Sequence, residues 1–196
     1  FPPVLSPVEL DLSGFKFEAD SGESLERSPF TDKVALSDGG VYDNMGMETV
    51  WKRCRTVLVS DAGAALEAEE KPATDWARHA IRVLNVIDNQ VRSLRKRELM
   101  AAYNSTDAAI ARKGSYWSIR SSPVKYPAAA TVAGLDFNST RAAALAATPT
   151  RLKAMDDDWQ EGLINLGYVI SAVALASHCP GPLGSAPIAW PYPQGV

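Results

Sequence analysis

The chain has 196 residues, 46% of them hydrophobic, enough to fill one ordinary domain or a large piece of one. Its formal net charge is −3 with acids and bases interspersed, which excludes the broad basic field of a nucleic-acid-binding protein. Its two cysteines, Cys54 and Cys179, are too few for a disulfide framework or a zinc site.

Residues 1 to 31 carry three early prolines, then the alternation Val8, Leu10, Leu12 and the pair Phe15, Phe17. Period-two spacing predicts a short hairpin through Ser13-Gly14, followed by a polar loop from Ser21 to Thr31. The aromatic residues read as edge core, or as the lining of an acyl pocket.

Val34 to Ser37 reads as a strand that delivers Asp38, with Gly39 and Gly40 directly after it. Asp-Gly-Gly alone is a turn signal, since glycine accepts positive φ and Asp hydrogen-bonds locally. A helix is expected from about Asn44 to Arg53, capped by Asp43 or Asn44 and ending in basic residues that suit the dipole. Lys52-Arg53 with Arg55, and Arg92 with Arg95-Lys96-Arg97, read as solvated helix faces rather than phosphate sites. The second cluster also suits contact with anionic lipid headgroups, a peripheral membrane contact.

Arg55 to Ser60 is the next expected strand, and its apolar run Thr56-Val57-Leu58-Val59 fits a parallel sheet covered on both faces. Strand, helix, strand is thus the predicted unit over 34–60, with a right-handed crossover. Asp61 repeats the logic of an acid at a strand end and rivals Asp38; it reads as a second candidate carboxylate or as a structural or loop anchor. Residues 63 to 74 read as a small-residue, acidic loop. From about Asp75 to Tyr103, apolar residues recur at steps of three and four (Ala77, Ala80, Ile81, Leu84, Ile87, Val91, Leu94), predicting a long helix with that face buried. His79 on this helix reads as structural or exposed.

Tyr116 to Ile119, reached through Gly114, is a further expected strand, and residues 120 to 138 read as irregular around Pro123 and Pro127. Thr148-Pro149 is expected to open a short helix. Asp156-Asp157-Asp158 reads as the acidic start of a last helix over 157–177 rather than a metal site, with Trp159, Leu163, Leu166, Ile170 and Val173 on one side. Its apolar run, Leu163 to Ala176, falls short of the roughly 20 residues that span a bilayer. The tail from Pro180 holds five prolines and is expected to be extended or disordered. Asn104-Ser105-Thr106 and Asn138-Ser139-Thr140 fit the glycosylation triplet, which matters only on a secretory route.

Ser37-Asp38-Gly39-Gly40-Val41-Tyr42-Asp43-Asn44-Met45-Gly46, followed by Thr56-Val57-Leu58-Val59-Ser60-Asp61-Ala62-Gly63, resembles the second half of a patatin-like phospholipase domain. That family pairs a serine in G-x-S-x-G with an aspartate in D-G-G or D-G-A, and Asp38 falls on the aspartate. Further matches are the opening Phe1-Pro2-Pro3-Val4-Leu5-Ser6-Pro7, the helical 88–97, Thr150-Arg151-Leu152 and Leu163-Ile164-Asn165-Leu166-Gly167-Tyr168. The resemblance covers most of residues 1–178 and leaves 179–196 as a Pro-rich tail. It implies an α/β fold, the patatin-like three-layer α/β/α arrangement with a central, mostly parallel sheet, of which this chain is the C-terminal half.

The nucleophilic serine is not in this chain. Gly22-Glu23-Ser24-Leu25-Glu26 ends in Glu, and Gly114-Ser115 lacks the frame. Phe1 is not an initiating Met, so the polypeptide is expected to be a processed chain, a fragment or an engineered piece; opening with Phe-Pro-Pro rather than a charged n-region and an apolar core, it is expected to lack a signal peptide and to be cytoplasmic. Only His79 and His178 exist, neither in a strand-end loop, which argues against a His-based triad.

The resemblance instead implies a Ser-Asp dyad without metal or cofactor. Asp38 would be the general base, and Gly39 and Gly40 would let the backbone approach the nucleophile loop. The implied partner is an N-terminal patatin-like chain carrying the serine and the oxyanion loop, and the implied substrates are lipid or other carboxylic esters. Two alternatives stay open: a catalytically silent patatin-like binding or regulatory module, and an independent α/β domain with its site at Asp61 and His79.

Overall fold

A computed structural model describes residues 7–19, 23–63, 65–149, 153–181 and 188–196. The opening through Ser6, Gly22 and the Thr150-Arg151-Leu152 match lie outside the described residues. The chain divides into two compact units, Phe1–Glu48 and Thr49–Val196. The described residues form a mixed α/β structure with five α-helices and two two-stranded sheets, one antiparallel and one parallel.

In the first unit, β1 (Val8–Asp11) pairs antiparallel with β2 (Lys33–Leu36). The register sets Val8 against Leu36, Leu10 against Val34 and Asp11 against Lys33, matching apolar with apolar and acid with base. This corrects the expected hairpin: Phe15 and Phe17 form no strand and stay exposed. At Ser13 the chain turns instead, its N–H and O–H both donating to Asp11 Oδ1.

After β2 comes one helical turn, α1 (Gly40–Asp43), and then α2 (Met47–Arg53). The single helix expected from Asn44 is therefore broken. Gly46 takes φ 63°, a left-handed conformation suited to glycine, and Asp43 Oδ2 accepts the Glu48 N–H at 2.6 Å. Asp43 thus caps α2 from upstream.

In the second unit, β3 (Thr56–Asp61), α3 (Trp76–Tyr103) and β4 (Lys113–Ser118) make a strand–helix–strand unit with parallel strands. That unit lies one step later than the sequence predicts, because β2 pairs with β1. With β3 and β4 as the one parallel pair among the described residues, no three-layer arrangement around a central sheet is formed. Coverage of β3 is also one-sided, with Val57 and Val59 buried and Leu58 exposed.

The long helix is present with the predicted bounds, and Asp75 caps it by accepting the Arg78 N–H. Its predicted buried face is not buried. Ile81, Leu84, Ile87, Val91 and Leu94 are 41–50% exposed, while Leu99 and Ala102 are covered. At 1.5 Å per residue the helix is about 42 Å long, against about 20 Å for a six-residue strand. Only its C-terminal turns reach the sheet.

Helices α4 (Ser139–Ala146) and α5 (Asp157–His178) enclose the core. Leu145 packs with Leu166, Val169, Ile170 and Val173, and Trp159 and Leu163 flank them, as the helical spacing predicts. A Cβ on Gly162 would lie 3.2 Å from both Leu145 methyls, so this glycine does mark close packing, whereas Gly167 faces open space. Asn138 and Asp156 cap the two helices, the former accepting the Thr140 and Arg141 N–H groups and the latter that of Trp159. Thr148 and Pro149 are not helical, and the residues after them lie outside the described set.

The tail corrects a further expectation. Pro182 and Pro187 lie outside the described residues, but 188–196 is neither extended into solvent nor detached. Buried Asn165 donates through Nδ2 to the carbonyls of Tyr192 and Gly195, both at 2.9 Å, and accepts the Tyr192 N–H at 3.0 Å. Val196 is buried in the core and its carbonyl accepts the Asn138 N–H. Asn165 is thus a built-in anchor for the last strand of chain. Among the described residues no helix is long and apolar enough to cross a membrane.

Candidate active site

Asp38 follows β2 by two residues, at the carboxyl end of a strand as the sequence predicts. The strand is antiparallel, so the crevice that parallel sheets offer at that end is not what positions it. Position comes from the turn itself. The Asp38 carbonyl accepts the Val41 N–H, closing the first turn of α1, and Asp38 Oδ1 accepts the Gly40 N–H at 2.8 Å.

That bond fixes one carboxylate oxygen and leaves the other open, on an exposed side chain. Gly40 packs closely beside it, against side-chain ends that can shift. A Cβ there would sit 2.8 Å from Asn44 Oδ1 and 3.0 Å from Asp38 Oδ1, whereas one on Gly39 would meet nothing within 4 Å. Of the two glycines, Gly40 shapes the carboxylate and Gly39 leaves the approach to it unobstructed.

Asp61, the rival acid, is differently placed. Its Oδ2 accepts the Tyr116 hydroxyl at 2.7 Å, its Oδ1 accepts the Gly63 N–H at 2.8 Å, and Arg92 lies 3.6 Å from Oδ1. Both members of the ion pair are largely covered, with 12% of the Asp61 side chain and 16% of the Arg92 side chain exposed. The Lys96 ammonium sits 4.4 Å from the Tyr116 ring centre, a cation–π contact on the same cluster. Asp61 is committed to joining α3, β4 and the loop after β3. His79 is exposed on α3 and is not among its partners.

Tyr116 and Arg92 were invisible as partners of Asp61 because 55 and 31 positions separate them along the chain. The clue available was the end-of-strand position of Asp61 beside a second strand containing a tyrosine. Burial and the Asp61 hydrogen bond push the Tyr116 hydroxyl well above the ordinary tyrosine range.

Tyr103 makes a second such lock, its hydroxyl donating to the Val57 carbonyl at 2.6 Å. Burial, and secondarily Cys179, push its pKa up to about 12 from 10.0. A tyrosine raised in the folded state contributes stability that is complete below pH 10 and is lost as pH rises towards 12. In urea titrations at rising pH, the wild-type midpoint is expected to fall more steeply over this window than that of Tyr103→Phe. Parallel curves would show that the hydroxyl ionises equally in both states.

No family model, curated protein or solved structure matches the chain. The acidic triplet has no catalytic geometry: Asp156 caps α5, and Asp158 Oδ1 pairs with Arg141 at 2.9 Å. Cys54 and Cys179 are free thiols.

Proposed function

We propose that this chain is the aspartate-bearing part of a patatin-like serine hydrolase that cleaves carboxylic esters of lipids. The observation that carries the proposal is the contrast between the two strand-end acids. Asp38 is held by one backbone N–H with an oxygen to spare, and Asp61 has its carboxylate consumed by Tyr116, Gly63 and Arg92.

In the proposed reaction, Asp38 removes the proton from a serine hydroxyl supplied by a companion chain as that oxygen attacks the ester carbonyl. The tetrahedral intermediate collapses, Asp38 returns the proton to the departing alcohol, and an acyl-serine remains. Water, deprotonated by the same carboxylate, then releases the acid and regenerates the serine. A solvated carboxylate is a weak base, so Asp38 works only when the companion covers it.

Two features support a companion. Among the described residues of the first unit only Met47 is buried, while Val8, Phe15, Leu36, Val41 and Tyr42 are exposed. The second unit leaves the apolar stripe of α3 uncovered, and among the described residues the edge of β3 away from β4 carries no strand. Apolar surface on this scale marks an interaction face, and an unpaired parallel-strand edge is a template for further pairing.

A fluorophosphonate probe applied to the assembled protein is expected to label the companion and not this chain. Label on this chain, or none with the companion present and intact, defeats the proposal. Leu84→Asp with Ile87→Asp is expected to lower co-purification of the companion more than tenfold while leaving this chain folded, since both side chains are half exposed. Undiminished co-purification would remove α3 from the interface.

A further inference from the structure

The basic residues at the end of α2 read, in sequence, as a solvated helix face. Folding adds Arg112, from far along the chain, and turns them into a concavity. Lys52, Arg53, Arg55 and Arg112 line a pocket of about 150 Å³ together with Trp51 and Cys54. It lies where α2 ends and β3 begins, against the turn over residues 108–112 that leads into β4. The volume is about five times the share of one water in the liquid, enough for a tetrahedral oxyanion.

Part of this cluster serves the backbone. Arg112 Nη1 donates to the carbonyls of Ile110 and Ala111 at 3.0 and 3.1 Å, Nη2 donates to the Trp51 carbonyl at 3.2 Å, and Arg55 Nη1 donates to the Ala108 carbonyl at 2.8 Å. The Arg112 guanidinium also lies 4.8 Å from the Trp51 ring centre. These contacts hold the guanidinium groups in place but carry no neutralising charge, because carbonyls and indoles are neutral. Nε of Arg112 is buried with no hydrogen-bond partner.

No carboxylate lines the pocket, and among the described residues Arg53, Arg55 and Arg112 form no ion pair with one. The three guanidinium groups of Arg53, Arg55 and Arg112 in one small concavity repel one another at a cost that a bound anion reverses. The exposed Arg53 guanidinium and the Arg55 nitrogens not bound to the Ala108 carbonyl present donors that match phosphate oxygens, and Arg112, held on the backbone, adds its charge.

We infer that this pocket binds a phosphate group, in a free phosphate ester or in a phospholipid headgroup. It is independent of the dyad proposed at Asp38, and a negative result at one leaves the other standing. Arg53 and Arg55 are the residues to test, because both are exposed and neither supports the core.

The whole chain is titrated with inorganic phosphate by calorimetry at low ionic strength, and separately sedimented with phosphatidylcholine vesicles with and without phosphatidic acid. Arg53→Gln with Arg55→Gln is run in parallel, its fold checked by circular dichroism. Saturable phosphate binding that weakens at least tenfold in the folded double variant supports the pocket with a free phosphate ester as ligand. Sedimentation only with phosphatidic acid, lost in the double variant, supports it with a headgroup as ligand. Binding in neither arm, or binding that the double variant retains, overturns the inference.

Discussion

If the proposed dyad operates, Asp38→Ala in the assembly with the proposed companion is expected to lower ester turnover by about 10²–10⁴-fold, the range that a positioned general base contributes. The fold of this chain should change little, because the side chain is exposed here and makes one hydrogen bond, to its own turn. Asp61→Asn supplies the contrast. It weakens the lock to Arg92 and Tyr116, so its effect belongs in thermal stability, with turnover per folded molecule near that of wild type. Rates per labelled serine, read beside melting curves, separate the two. Full activity in Asp38→Ala would end the dyad proposal, and equal losses of turnover in both variants would show that the first measured general damage.

Gly114→Ala carries the largest expected effect on folding. Gly114 has φ 142°, which L side chains rarely adopt, and a Cβ there would lie 1.8 Å from the Val57 carbonyl oxygen. That oxygen belongs to β3, directly opposite Gly114 in the parallel register, and it accepts the Tyr103 hydroxyl as well. Relief requires β3 and β4 to separate, so the loss is expected to reach about 4 kcal/mol or more, in the range reserved for such backbone conflicts. Gly167→Ala is the control. Its Cβ meets nothing within 4 Å and it sits within α5, so alanine should stabilise by about 0.5–1 kcal/mol. Urea midpoints of both variants test the pair, and a Gly114→Ala midpoint near wild type would place the strands further apart than described.

What could be read from residues follows from how local each signal is. The α3 bounds and the α5 apolar spacing emerge from contacts within a few positions, so the sequence carries them openly. Strand existence was legible for the same reason at 34–37, 55–60 and 116–119. Strand partnership was not. β1 chose β2 across an intervening loop through the Val8–Leu36, Leu10–Val34 and Asp11–Lys33 matches, and that choice removed β2 from the parallel sheet. Pairing depends on which edges meet, and no window of sequence contains both edges.

The candidate site divides along the same line. Asp38 and its two glycines stand together in the sequence, and the turn that orients the carboxylate is closed by neighbours at 40 and 41. The commitment of Asp61, the pocket formed by Arg112 with Arg53 and Arg55, and the anchoring of the tail by Asn165 all join residues 27 to 59 positions apart. By itself the sequence determined the long helix α3, the apolar spacing of α5, strands near 34–36, 56–60 and 116–118 and the position of Asp38, because hydrophobic periodicity and turn signals are short-range. Only the tertiary structure decided which acid stays available, which basic residues share a concavity and which apolar face remains uncovered, because burial and charge pairing are set by what the rest of the chain brings alongside.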